Sequence, residues 1–222
     1  MLLAVDTSTQ WTGIALYNEN KIAAEFSWQT RFHHTKELAP AIQNLMLRCG
    51  ITPSELKALA VAIGPGSFTS LRIGLALVKG MALALNIPIV GIPTLDIVAA
   101  AQPLQELPLA AILQVGRGRL AVGWYQVEKR GWKMQGEALL MTLEELSHAI
   151  EKPTLVSGEL TEVERQTLGK RRKTILMTSP AFSARRPAIL AEMAWKNWQN
   201  GRIDNPVTLS PIYLRVAEPI PE

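Results

Sequence analysis

The stretch Gly64-Pro65-Gly66-Ser67-Phe68-Thr69-Ser70-Leu71-Arg72-Ile73-Gly74 lies between two apolar segments. Residues 59–63 before it have the composition of a buried strand. Residues 71–85 after it follow helical spacing and end at Asn86. The order is therefore strand, glycine-bearing loop, helix. Such a loop can aim backbone N–H groups and a helix dipole at an anion, or it can be a tight turn with unusual angles at Gly66 and a Ser67 or Thr69 cap.

The helix that follows the loop is apolar almost all round. Between residues 70 and 85 only Arg72 and Lys79 are charged. A helix that rests on a sheet needs one apolar stripe, so this one is predicted to be buried on two sides. Ala76, Gly80 and Ala84 form a row of small residues that would let another backbone come close. The second covering layer is either another subunit or this chain's own second lobe.

The composition indicates a protein with a sizeable core. The chain has 222 residues, of which 48% are hydrophobic, enough for one large domain or two lobes. A lone Cys49 fits a reducing, cytoplasmic setting and is expected to be a packed thiol. The N-terminus has no basic leader, and the apolar helix is expected to be too short, with Lys79 inside it, to cross a membrane. We therefore expect a cytoplasmic protein without a membrane partner.

The net charge of +4 permits contact with nucleic acid without establishing it. The densest basic run is residues 170–173 (KRRK), and Arg117, Arg119 and the pair Arg185-Arg186 lie elsewhere. No aromatic residues are interleaved with these cations as in an RNA-binding motif. A solvated surface is the favoured interpretation, and a direct tRNA-binding module built on the 170–173 run stays open as an alternative.

The chain contains an internal duplication. Strands at residues 2–5, 12–17 and 21–28 are followed by a helix over 35–48, and the strand pattern returns at 110–114, 120–127 and 132–140. The second copy continues with a helix over 142–150, strands near 154–157 and 174–177, and a final helix over 183–200. This order predicts a duplicated α/β fold with an N-terminal lobe, residues 1–101, and a degenerate second lobe, residues 102–222, that ends in an irregular tail.

Two duplicated lobes usually hold a nucleotide in the cleft between them. Asp6, Thr7 and Ser8 offer a carboxylate and hydroxyls for a metal or a phosphate, but the matching turn of the second lobe is Val115-Gly116-Arg117-Gly118. One carboxylate without its counterpart disfavours phosphoryl transfer. His33, His34 and His148 do not have metal-ligand spacing, and no activated serine can be identified.

Three segments resemble the TsaB (YeaZ) family: residues 3–8 (LAVDTS), the loop and helix start 64–74, and residues 211–215 (PIYLR). They lie at the start, middle and end of the chain, and the GPGSFTxLRIG string is the most specific. The resemblance implies an actin-like (ASKHA) α/β fold of two ribonuclease-H-like lobes, with mixed sheets flanked by helices. Ser70 replaces a common glycine of the family, and Val115 replaces the aspartate of its second-lobe turn.

The resemblance also implies a function. Such a chain is a non-catalytic scaffold or dimerisation subunit of the complex that forms N6-threonylcarbamoyladenosine at position 37 of tRNAs reading codons that begin with A. Its implied partners are a TsaD-type catalytic subunit and a TsaE-type ATPase, with tRNA reached through the complex and a homodimer left open. No cofactor is expected on this chain alone, while ATP or ADP binding is left open within the full complex. The alternative is an actin-like nucleotide hydrolase or phosphotransferase that uses Asp6.

By the same resemblance, the helices after Thr35 and Thr69 form the partner interface. The implied interface residues are Thr69, Arg72, Ile73, Ala76, Leu77, Gly80, Met81, Ala84, Leu38 and Ile42. Asp6, Thr7 and Ser8 are then a vestigial nucleotide or phosphate turn, and no catalytic or metal site is expected. The same helix thus carries the specific motif and the unexplained apolar surface.

Overall fold

Two mixed β-sheets with the same strand order lie at the centre of the molecule, a computed structural model that describes residues 1–30, 34–129 and 131–214. The first sheet has the order β3-β2-β1-β4-β5 and consists of β1 (Leu2–Asp6), β2 (Trp11–Asn18), β3 (Lys21–Gln29), β4 (Ala58–Ala62) and β5 (Ile89–Ile92). The second has the order β11-β10-β6-β7-β8 and consists of β6 (Leu109–Gln114), β7 (Leu120–Glu128), β8 (Gly131–Met134), β10 (Thr154–Gly158) and β11 (Ile175–Met177), with β9 (Leu139–Met141) paired to β7.

The matching strand orders confirm the predicted duplication. In each sheet the first three strands are antiparallel neighbours, because short turns join them. The remaining two strands pair in parallel, after helical connections. The fold is therefore the predicted α/β architecture with mixed sheets flanked by helices.

Seven helices are described: α1 (His34–Arg48), α2 (Phe68–Leu85), α3 (Thr94–Ala100), α4 (Leu143–Ala149), α5 (Glu162–Leu168), α6 (Pro180–Ser183) and α7 (Pro187–Gln199). Alternate side chains of β1 point to opposite faces of the first sheet. Leu3 and Val5 pack with α1 and α2, whereas Leu2 and Ala4 pack with α7. Helices thus cover both faces of the first sheet.

Helix α3 joins the two halves of the molecule. Leu95 and Val98 pack into the core of the second sheet, while Ile97 packs with α7 on the first. Helix α7 belongs to the second half of the sequence but lies on the first sheet. Helix packing therefore crosses the predicted boundary between residues 101 and 102, and the division into these two lobes stays a prediction.

Two sequence predictions of local structure were wrong, and one helix was not predicted. The strand predicted over 132–140 is interrupted at Gly136, whose φ of 76° breaks the extended backbone into β8 and β9. The helix predicted over 183–200 is split, because Pro187 keeps Arg186 out of the helical region. Helix α5 was not predicted, although Thr161 and Glu164 form a capping box at its start.

Helix α2 is longer than the sequence indicated. It starts at Phe68 and has 18 residues, so it is the one helix within the described ranges that reaches the minimum for a membrane span, by length and composition only. The expectation that it is too short is therefore wrong. One third of it is buried, against β4, β1 and α1.

The C-terminal segment runs back along the first lobe without regular structure, as predicted. The Ile212 N–H donates to the carbonyl of Ile63 at 2.7 Å, and Leu214 packs against the core of the second sheet. Arg215, the last residue of the quoted family segment, lies outside the described residues. Ile212 and Leu214 therefore anchor the segment to the rest of the chain.

Candidate functional site

The glycines of the 64–74 loop allow the start of α2 to lie directly on the turn after β1. A Cβ atom at Gly66 would come within 2.3 Å of the Ser8 carbonyl oxygen, and one at Gly74 within 2.2 Å of Thr7 Oγ1. The Ser67 N–H donates to the Ser8 carbonyl at 2.7 Å. The loop therefore packs against the turn after β1 at the place where an anion would have to bind.

The predicted roles of individual loop residues change in the structure. The left-handed backbone occurs at Gly64, with φ of 105°, and not at Gly66. Ser67 is the N-cap residue of α2, but its side chain makes no capping hydrogen bond. Ser70, at the position where the family commonly has glycine, is buried and accepts a hydrogen bond at its carbonyl from Thr7 Oγ1, at 2.8 Å. A serine is accommodated there without displacing the turn.

The acidic turn after β1 is buried and its carboxylate is occupied. Asp6 Oδ1 accepts from the Ser8 N–H at 2.8 Å, and Asp6 Oδ2 accepts from Arg185 Nε at 2.7 Å. Asp6, Thr7 and Ser8 are each at most 3% exposed. The three predicted residues of a nucleotide turn thus lie together, with their polar groups bonded within the chain.

Arg185 is the central residue of this cluster, and the expectation of a solvated surface arginine was wrong. Its guanidinium also contacts Glu159 and donates to Thr9 Oγ1 at 3.1 Å and to the Trp11 carbonyl at 3.0 Å. Burial opposes its charge, but the two carboxylates outweigh burial and raise the pKa of Arg185. The arginine is therefore a permanent cation that fixes the first-lobe turn to the loop after β10.

A cleft of about 450 Å³ adjoins this cluster between the two halves of the molecule. Its walls include Trp11, Gln29, Gln114 and Arg165, besides the Asp6–Arg185 pair. Within the ranges that the structure describes, no group of three His, Cys, Asp or Glu side chains is placed to hold a metal ion. The charged groups that line the cleft, Asp6, Glu159, Arg165 and Arg185, all have partners within the chain.

The second-lobe turn is stabilised without the aspartate of the family. Val115 packs against the second-sheet core, and its N–H donates to the Arg119 carbonyl at 3.1 Å. Gly116 and Arg117 adopt left-handed backbone angles, with φ of 87° and 53°. Valine therefore holds this turn by packing and by a backbone hydrogen bond.

The outward side of α2 is an extensive exposed surface. Its buried side contains Leu71, Leu75 and Val78. The outward residues are exposed or half-buried, and they are Phe68, Thr69, Arg72, Ile73, Ala76, Leu77, Gly80, Met81, Leu83 and Ala84. We call this set the α2 surface. A Cβ atom at Gly80 would meet no atom within 4 Å, so the row of small residues faces open space.

The two interface residues expected on α1 do not belong to this surface. Leu38 and Ile42 are 1% and 5% exposed and pack into the core of the first sheet, because α1 lies against β2 and α2. Their assignment to a partner interface is wrong. The exposed apolar side chain of α1 is instead Leu47, which is 78% exposed.

The C-terminal segment adds residues to the α2 surface that sequence reasoning did not connect with it. The Tyr213 ring lies 4.9 Å from the Phe68 ring, and the Arg72 guanidinium sits 3.8 Å above Phe68. Arg72 Nε also donates to the Tyr213 hydroxyl at 3.0 Å. Further along, Lys79 Nζ donates to the Leu209 carbonyl at 2.9 Å. The one sequence signal for this contact was Tyr213, the aromatic residue of segment 211–215.

The described histidines do not form a site. His34 is buried, and its Nδ1 lies 3.0 Å from Thr12 Oγ1. Burial lowers the pKa of His34, and the nearby Glu37 partly opposes this shift. His148 is exposed on α4, and His33 lies outside the described residues. Cys49 is half-buried against the first core, as expected of a packed thiol.

Comparisons with known proteins agree on one family. The model of the family "TsaD: tRNA N6-adenosine threonylcarbamoyltransferase" matches residues 28–203. The tRNA threonylcarbamoyladenosine biosynthesis protein TsaB of Bacillus subtilis is 32% identical over 171 residues, which is 75% of this chain and 74% of that protein. The tRNA N6-adenosine threonylcarbamoyltransferase of Nitratidesulfovibrio vulgaris is 34% identical over 107 residues, 41% of this chain and 30% of that one.

Solved structures agree on the fold. YeaZ of Pseudomonas aeruginosa superposes with a TM-score of 0.77 at 24% identity, over 96% of this chain and 99% of that one. The ethanolamine utilization protein EutJ of Carboxydothermus hydrogenoformans gives 0.50 at 12% identity, over 86% and 88%. The chain therefore belongs to the TsaB (YeaZ) family, within the wider family that the TsaD model describes, and takes part in the biosynthesis of tRNA threonylcarbamoyladenosine.

Proposed function

We propose that this chain is a non-catalytic subunit that binds a TsaD-type catalytic protein through the α2 surface. One observation supports the proposal. Helix α2 of the first lobe is apolar, yet its outward half is uncovered and carries a row of small residues. Exposed apolar surface of this extent is typical of protein interaction sites. Membership of a tRNA-modifying family supplies the class of partner.

The shape of the α2 surface fits a helix of the partner. Ala76, Gly80 and Ala84 recur every four residues, and ridges at this spacing favour close helix–helix packing. Small side chains along such a row let the two backbones approach. At the end of the row, Phe68, Arg72 and Tyr213 form an exposed aromatic and cationic group of the kind that dominates interface energies.

The charge of this region indicates what the partner should present. Arg72 is the exposed charge of the α2 surface, and α1 adds Lys36 and Arg48 on its exposed side. Glu37, the acidic residue of α1, is half-buried and accepts from Trp28 Nε1 at 2.8 Å. The partner helix is therefore expected to be apolar and flanked by carboxylates.

The same surface could pair two copies of this chain, so a homodimer would compete with the TsaD-type partner. A TsaE-type ATPase and bound ATP or ADP belong to the proposed full complex and not to this chain alone. The setting of the complex is proposed to be the cytoplasm, consistent with a single half-buried cysteine.

Co-purification tests the proposal directly. The chain is mixed at micromolar concentration with the TsaD-type protein of the same organism, with and without nucleotide and the TsaE-type protein. We expect a stable complex in size-exclusion chromatography. Separate elution under all of these conditions would refute the proposal.

The alternative function is nucleotide hydrolysis or phosphoryl transfer by Asp6, next to the cleft of about 450 Å³. Both carboxylate oxygens of Asp6 already accept hydrogen bonds within the chain and Asp6 is 3% exposed, so a metal or water would compete with Arg185 and the Ser8 N–H for a buried group. ATP turnover by the isolated chain that is lost in a folded Asp6→Asn variant would favour this alternative.

A further inference from the structure

The second sheet ends in a row of exposed cations that the proposed partner role does not use. We call this row the basic end and define it as Lys129, Lys152, Lys170, Arg172 and Lys173, all of which are exposed. Within the described ranges, none of the five forms an ion pair. Their charge is therefore available to a ligand.

The strand order aligns these cations along one edge. Lys173 precedes β11, Lys152 precedes β10, and Lys129 follows β7. In the order β11-β10-β6-β7, these strand ends span three inter-strand steps, or about 14 Å. Lys129 and Lys152 line one open groove of about 870 Å³. The row is long enough to follow several consecutive phosphates of one nucleic-acid strand.

The turn that carries three of the cations is held rigidly. The Arg171 guanidinium donates to the Ile150 carbonyl at 3.0 Å and contacts the Ser147 carbonyl, so it binds the last carbonyls of α4. The Thr154 N–H donates to the Thr174 carbonyl at 2.9 Å and fixes the turn to β10. Lys170, Arg172 and Lys173 thus project from a preformed backbone, which lowers the entropic cost of binding.

Acidic groups only partly offset this charge. Glu106 and Glu151 are exposed at the same end, and Glu128 is paired with Lys133 at 2.9 Å. Five cations against two free carboxylates leave an excess of three positive charges. The opposite end of β10, at Gly158, leads into the Glu159–Arg185 contact between the lobes. The basic end therefore lies at the other end of β10 from that contact.

We infer that the basic end contacts the phosphate backbone of tRNA directly. The process modifies a tRNA, which is a polyanion, and exposed cations without an ion-pair partner are what phosphate contact requires. This inference goes beyond the proposed scaffold role, in which tRNA is reached through the complex. It rests on the family's place in tRNA modification and not on the identity of the protein partner.

Two triple variants with the same change in net charge test the inference. Lys170→Glu/Arg172→Glu/Lys173→Glu alters the basic end, and Lys21→Glu/Lys57→Glu/Arg202→Glu alters three exposed cations elsewhere, two in the first lobe and one in the C-terminal segment. The probe is a fluorescent, unmodified tRNA transcript whose anticodon reads a codon beginning with A. The affinity of this tRNA is measured for the isolated chain and for its complex with the TsaD-type protein. The KCl concentration is varied from about 50 to about 200 mM.

If Lys170, Arg172 and Lys173 of the wild type contact three phosphates, their contribution should make the affinity for tRNA fall about 20- to 40-fold as the KCl concentration rises over that range. We expect the basic-end variant to lose roughly tenfold or more in affinity at low salt and to show a flatter salt dependence, while the control loses roughly threefold or less. Equal losses in the two variants, or no loss in the basic-end variant, would overturn the inference. Complex formation, measured separately by size-exclusion chromatography, shows whether the proposed protein partnership fails instead.

Discussion

Arg185 Nε donates a 2.7 Å hydrogen bond to Asp6 Oδ2, so one buried ion pair joins residues that are 179 positions apart. The same guanidinium contacts Glu159 in the loop after β10. The turn that the sequence suggests as a phosphate site is therefore filled by an arginine of the chain itself. In this fold the turn after β1 instead joins the first lobe to the second through Arg185.

The first prediction concerns this ion pair. Arg185→Met keeps an unbranched though shorter side chain and leaves Asp6 and Glu159 without their cation, and breaking a buried pair in this way costs about 3–5 kcal/mol. The matched control is Arg186→Met, which removes an exposed pair with Glu25 at 2.8 Å and should cost about 1 kcal/mol or less. Urea unfolding measures both free energies. Equal effects would show that Arg185 does not stabilise the folded state.

The second prediction separates two glycines of α2. Gly80→Ala should stabilise the isolated chain by about 0.5–1 kcal/mol, because alanine favours the helix and the new methyl group meets no atom within 4 Å. Gly74→Ala gains the same propensity but places Cβ within 2.2 Å of Thr7 Oγ1, so we expect net destabilisation. Thermal unfolding measures both changes. A stabilised Gly74→Ala variant would contradict the close contact between α2 and the turn.

The third prediction tests the aromatic group at the start of α2. Tyr213→Ala removes a ring whose centre lies 4.9 Å from that of Phe68 and a hydrogen bond from Arg72, so affinity for the TsaD-type partner should fall by about 2 kcal/mol. Stability should change little, since Tyr213 is 41% exposed. The control is Ile203→Ala, a similarly exposed apolar residue of the same segment. Isothermal titration calorimetry with the partner should detect a loss only for Tyr213→Ala.

The fourth prediction concerns pH. Burial lowers the pKa of His34 from its ordinary value of 6.5, so the unfolded chain takes up a proton at a higher pH than the folded chain. The contribution of His34 to stability is therefore complete above pH 6.5 and is lost as the pH falls toward the folded-state pKa. The slope is at most about 1.4 kcal/mol per pH unit.

The control for this effect is His34→Gln, measured by urea unfolding between pH 7.5 and 5.5, a range set by the ordinary pKa of 6.5. Burial raises the pKa of Asp96, which acts in the opposite direction, and this term is common to both proteins. The wild type should lose more stability than the variant as the pH falls. Parallel profiles would show that His34 does not titrate differently on folding.

The duplicated architecture could be predicted because its signals are local. Alternating apolar residues mark the strands, and the same order of strands and turns returns near residue 110, so both sheets were identified from pattern alone. Family motifs at residues 3–8 and 64–74 then indicated the fold. The length of α2 was underestimated because Ser67–Ser70 was assigned to the loop, whereas the helix begins at Phe68.

The site could be predicted only in part, because its central contacts join distant segments. Nothing local distinguishes Arg185, which is buried by Asp6 and Glu159, from the exposed Arg186 beside it. Tyr213 lies on the α2 surface because the C-terminal segment runs past the start of α2. The path of an irregular segment cannot be predicted from hydrophobic periodicity. By contrast, the spacing of Leu38 and Ile42 did indicate an inward face, and the resemblance was extended to them wrongly. The break before Pro187 and the capping box of α5 were readable local signals.

The central claim is that the α2 surface binds the catalytic partner, and one affinity measurement tests it most directly. Ala76→Arg and Val163→Arg each place a cation on an exposed helix position, the first on the α2 surface and the second on α5, where Val163 is 71% exposed. With folding verified by circular dichroism, binding to the TsaD-type protein is measured by calorimetry. We predict that Ala76→Arg weakens binding by roughly a hundredfold or more, as expected for a disrupted interface core, while Val163→Arg binds like the wild type. Unchanged affinity of a folded Ala76→Arg variant would contradict the claim.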